Sequence, residues 1–65
     1  MNEKVYYIQG SFEGSEWEDL SGYPCGNTEK QLEEARESCN YDLDQYRASG
    51  QGIYRVVTKW EPMEE

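Results

Sequence analysis

The residues best suited to chemistry in this chain are carboxylates, and their spacing suits binding better than catalysis. Glu29, Glu33, Glu34, Glu37, Asp42 and Asp44 recur within one stretch. Glu29, Glu33 and Glu37 stand four apart, so on a helix they make one ridge, and Glu34 starts a second. A negative ridge of this kind steers a domain toward a basic surface and, at about 1.5 Å of rise per residue, imitates a run of phosphates. The plainer alternative is a solvated helix face, which is what charge runs usually are.

The other groupings carry less. Glu16 and Glu18 share one side of an expected strand, with no pocket to raise the pKa of either for acid–base work. Asp42-Leu43-Asp44 opens like a calcium loop but lacks the later Gly and Glu. The chain contains no His, and with it goes the commonest general base and metal ligand. Cys25 and Cys39 would need two further ligands to hold zinc. The glycines at 22 and 26 lack the Lys and the spacing of a phosphate loop. The expectation is a protein that is not an enzyme and takes no metal or cofactor.

A second group is aromatic and basic. Strand alternation places Tyr7, Trp17, Arg55, Val57 and Lys59 on one sheet face, with Gln9 among them and Val5 at its edge. Exposed aromatics beside Arg are the material of binding hot spots. In a thin sheet the same residues also serve as cross-strand pairs. Such rings would stack the bases of single-stranded RNA. Against that stands a net charge of −8, from 14 acidic and 6 basic residues, which opposes phosphate contacts. Direct nucleic-acid binding and attachment to an anionic membrane are therefore not expected, and a basic protein surface is the favoured partner.

The elements that must position these groups follow from periodicity. Thr28-Glu-Lys-Gln31 reads as a capping box. Behind it Leu32, Ala35, Cys39, Leu43 and Tyr46 share one face. The spacing predicts a single helix over 28–49, unbroken at Asn40 and stopped by Gly50. Residues 4–12 form a first strand, with Tyr6, Ile8, Gly10 and Phe12 facing the helix. Glu13-Gly14-Ser15 is a turn and 16–20 a short second strand, with Leu20 toward the core and Trp17 and Asp19 away from it. Residues 21–27 read as a loop with Tyr23 over the core edge. Residues 53–60 form the third strand, and 61–65 a frayed acidic tail.

The fold class is therefore α+β, a single domain of ββαβ order. A three-stranded antiparallel sheet of order 2-1-3 carries one long helix on one face. The expected core is Tyr6, Ile8, Phe12, Leu20, Leu32, Ala35, Cys39, Leu43, Tyr46, Tyr54, Val56 and Trp60. At 65 residues such a domain buries only about 60% of its unfolded surface and has no room for a deep pocket. The first residues, Met-Asn-Glu-Lys, have no apolar signal core, and no stretch approaches 18 apolar residues. The expectation is a cytoplasmic protein with both thiols reduced and unlinked.

At this level the chain resembles small acidic phage and prophage proteins of ββαβ type, mostly of unknown function. Tyr6-Tyr7-Ile8-Gln9-Gly10, Trp17-Glu18-Asp19-Leu20, Ala35 and Tyr54-Arg55-Val56-Val57 carry the resemblance. The longer helix and the segment around Cys25 depart from the shortest members. The resemblance implies a phage-encoded protein in a bacterial cytoplasm that binds and inhibits a host protein, as anti-CRISPR proteins do. The acidic helix face and the aromatic sheet face are the expected docking surfaces. The alternative is a structural or regulatory homodimer closed through the open sheet face. A weak single-stranded RNA binder comes second to it.

Overall fold

Helix α1 (Glu29–Ser49) starts where its first turn closes on itself. The Thr28 hydroxyl accepts from the Gln31 amide at 3.1 Å, and Gln31 Oε1 accepts from the Thr28 amide at 3.2 Å. Two of the four donors orphaned at a helix start are thus satisfied. The helix runs unbroken through Asn40 and ends at Gly50, whose φ of 69° is left-handed and suits a residue without Cβ. The computed structural model describes residues 2–62. Among them α1 is joined by β1 (Asn2–Ser11), β2 (Glu18–Pro24) and β3 (Ile53–Pro62). The three strands form one antiparallel sheet of order β2-β1-β3, so the ββαβ reading and the strand order both hold.

The core lies between α1 and the sheet. Ile8, Cys39, Leu43 and Tyr54 are its buried centre, with Tyr6, Phe12, Leu20, Tyr23 and Tyr46 packed around them. Phe12 meets Tyr54 edge-on at 5.9 Å between ring centroids, and Tyr46 lies 5.3 Å from the same ring. Large rings supply the buried area where aliphatic residues are few. The whole measures 38 × 21 × 14 Å, the thickness of one helix on one sheet.

Strand β2 differs from the expectation of a strand over 16–20 followed by a loop. It spans Glu18–Pro24, so Ser21, Gly22 and Tyr23 are paired rather than looped. Gly22 and Pro24 carried the loop signal, yet both are accommodated. The Tyr7 ring lies over Gly22, where an added Cβ would come within 2.9 Å of it. The Cys25 amide donates to the Lys4 carbonyl at 2.9 Å, so Pro24 turns its missing N–H to the outer edge, where none is needed. A bulge does the rest. Ile8 pairs with Ser21 but Gln9 with Asp19, which leaves Leu20 as the extra residue. Leu20 and Ser21 both turn to the helix: Leu20 packs on the core and the Ser21 hydroxyl lies 3.0 Å from that of Tyr46.

Five further positions depart from expectation. Val56 and Trp60 are exposed, at 38% and 65%, not core. A single helix about 10 Å wide spans roughly two strands spaced about 4.8 Å apart. Here it covers β2, β1 and the start of β3, leaving the rest of β3 bare. Val5, placed at the rim of the open face, is buried, because β1 is the central strand and Pro24 and Lys59 flank it. Glu61 and Pro62 belong to β3 rather than to a frayed tail; residues 63–65 of that expected tail lie outside the described residues.

Candidate functional site

Two surfaces are the candidates, and the fold treats them differently. On the open sheet face Arg55 stacks on Trp17, with its guanidinium carbon 4.0 Å from the ring centre. Its Nε donates to Gln9 Oε1 at 2.9 Å, and Gln9 Nε2 donates to Asp19 at 2.7 Å. Lys59 donates to the other Asp19 oxygen at 2.7 Å while its ammonium lies 5.2 Å from the Tyr7 ring centre. The Tyr7 hydroxyl donates to Glu61 at 2.6 Å. These bonds bring Tyr7, Trp17, Arg55 and Lys59 together as expected, with Val57 half-buried opposite Tyr7.

The electrostatics of that face differ from the basic surface the sequence suggested. Asp19 and Glu61 neutralise it from within. Hydrogen bonds from Lys59 and then Gln9 hold the Asp19 carboxyl below its ordinary range. The hydrogen bond to Glu61 pushes the Tyr7 phenol up. Gln9 is 8% exposed at the centre of the network. The polar groups of this face are therefore spent on one another, and the tops of the Trp17 and Tyr7 rings are occupied by cations of the same chain.

The outer face of α1 is the reverse case. Glu29, Glu33, Glu34, Glu37 and Asp44 are exposed. Among the described residues the ion pair within 4 Å is Lys59–Asp19, so these helix carboxylates have no cation of their own at that distance. Asp42 departs from the expected row. It is half-buried on the core side and accepts from the Tyr23 hydroxyl at 2.5 Å. Burial, and then this bond, push the Tyr23 phenol up to about 12.

One residue of the outer face had not been singled out. Tyr41 is 66% exposed. It stands four residues after Glu37 and three before Asp44, the spacing of helix neighbours, so a carboxylate flanks the unburied aromatic on either side. The signal was present in the sequence: Tyr41 falls off the stripe that holds Cys39 and Leu43.

The remaining chemistry is modest. Cys25 and Cys39 are both buried and unlinked. Burial, then Asp42 and Cys25, push the Cys39 thiol up, which keeps it in the inert protonated form. A wide hollow of about 540 Å³ opens beside Phe12, Leu20, Tyr46 and Tyr54, with Asp42 at its rim. Among the described residues no cluster of three or more Cys, Asp or Glu is grouped to hold a metal ion. No described helix is long and apolar enough to cross a membrane. No protein-family model matches the chain, and neither a curated protein nor a solved structure does.

Proposed function

We propose that this protein is a non-enzymatic binding domain that docks the outer face of α1 on a basic surface of another protein and blocks it. The observation that carries this reading is Tyr41, an aromatic 66% exposed beside helix carboxylates that, among the described residues, have no cation within 4 Å. The carboxylates steer the encounter and the ring supplies the apolar anchor that charge alone lacks. The resemblance to small phage proteins supplies the setting, a bacterial host protein as target.

The homodimer through the open sheet face loses support, because Gln9, Asp19, Arg55 and Lys59 already satisfy one another there. The RNA reading weakens for the same reason, since Arg55 occupies the Trp17 ring that a base would need.

The test is affinity capture from bacterial lysate at low and at high salt, followed by titration of the retained protein. Retention at low salt, loss at high salt, and an affinity at least about tenfold weaker for Tyr41→Ala are expected, since anchor residues typically contribute 1.4 kcal/mol or more. Unchanged affinity of Tyr41→Ala and of the triple reversal Glu33→Lys, Glu34→Lys, Glu37→Lys would overturn the reading.

A further inference from the structure

We infer that the free edge of β3 pairs with β3 of a second copy, antiparallel about a two-fold axis at Thr58, to make a six-stranded sheet. The Lys4 carbonyl accepts from Cys25, so the even-numbered residues of β1 turn their peptide groups to β2 and the odd-numbered ones to β3. Gln9 pairs with Arg55 and Val5 with Lys59, so the odd-numbered residues of β3 bond to β1. Tyr54, Val56, Thr58 and Trp60 are left with N–H and C=O groups pointing outward.

The two edges of the sheet are not alike. The β2 edge is blunted by its bulge, by Gly22 and Pro24, and by Glu18. The β3 edge runs ten residues with no break in its register to β1. A lysine commonly guards such an edge, but Lys59 is drawn across the open face to Asp19. A long edge of unbroken register is a template for another strand.

Charge and shape select the register. With Thr58 facing Thr58 of the second copy, Arg55 faces Glu61 and Val56 faces Trp60. A two-fold at Val57 would set Arg55 against Lys59, and one at Lys59 would set two ammonium groups together; like charges directly opposite are destabilising. The Thr58 register also covers Val56 and Trp60, the two residues the helix leaves bare. It sets Trp60 of the second copy beside the groove lined by Tyr6, Arg36, Cys39, Asn40 and Val56. At its ends Tyr54 faces Pro62, which has no N–H to give. The Tyr54 carbonyl is served instead by Arg47 Nη2 at 3.4 Å from within its own chain. This pairing runs along the edge of the sheet and engages the open face only at its rim, through Arg55 and Glu61; it leaves the outer face of α1 untouched, so it stands apart from the docking proposed above.

The experiment is sedimentation equilibrium of the full chain over a wide concentration range. The expected mass rises to twice the 7.6 kDa of one chain. Thr58→Pro removes an N–H that β1 does not use, so it is expected to keep its circular dichroism and stay monomeric. Arg55→Glu and Glu61→Arg each raise the dissociation constant about tenfold or more when alone, by placing like charges opposite. Mixed in equal amounts they regain a dimer, because each reversed charge then faces its opposite. A wild-type chain monomeric throughout, a dimeric Thr58→Pro, or a mixture no tighter than its components overturns the inference. Should Thr58→Pro fail to fold, the mixing experiment decides alone.

Discussion

Tyr23 ties the sheet to the helix through one short bond, and that bond has a pH signature. Its phenol donates to Asp42, and burial with the carboxylate raises its pKa to about 12. A raised pKa means that the folded state holds the proton more tightly than the unfolded chain. The resulting stability is fully present below the ordinary phenol value of about 10 and is lost as pH climbs from there to about 12. Chemical denaturation across that window is expected to show the midpoint falling in the wild type, with a shallower fall for Tyr23→Phe. At neutral pH the same variant should lose about 1 kcal/mol, the usual net worth of such a bond. Asp19 acts at the other end. Its lowered pKa contributes stability above the ordinary carboxylate range that is lost as pH falls through the folded value. The buried thiols give a third expectation: a thiol reagent at pH 8 should label neither Cys25 nor Cys39 in the folded chain, and both once it is unfolded.

Helix α1 was readable almost to the residue because its signals are local. Thr28 with Gln31 marks the start, the stripe from Leu32 to Tyr46 marks the buried face, and Gly50 marks the stop. Thr28→Ala is expected to cost about 1 kcal/mol, and Gly50→Ala a similar amount for the left-handed φ, both measured by thermal unfolding. Strand β2 was misread because its evidence is not local. Gly22 and Pro24 look like loop residues until the Tyr7 ring covers one and the outer edge accepts the other. Gly22→Val should therefore destabilise the domain by displacing Tyr7, although a strand usually welcomes Val. The placement of Trp17 and Asp19 away from the helix was legible from alternation. That Arg55 and Lys59 would be neutralised was not, because Asp19 reaches Lys59 directly, and Arg55 through Gln9, only across paired strands.

For the molecule as a whole, the fold separates a polar face closed on itself from an acidic face left open. The sheet side spends its cations on Asp19, Gln9 and Trp17, while the helix side presents Glu33, Glu34, Glu37, Asp44 and Tyr41 to solvent. Reversing Glu33, Glu34 and Glu37 to Lys should leave the thermal midpoint nearly unchanged, since exposed surface charges contribute little to stability. The same change should slow association with a basic partner, and more so at low salt. The bare side of β3 was missed for a reason of scale: counting apolar residues does not reveal that one helix is too narrow for three strands. The most direct test of the docking claim is nuclear magnetic resonance of the isotopically labelled chain titrated with the protein it captures. The amide shifts are expected to concentrate at Glu33, Glu34, Glu37, Tyr41 and Asp44. Shifts centred on Tyr7, Trp17, Arg55 and Lys59, with the outer face of α1 unmoved, would contradict it.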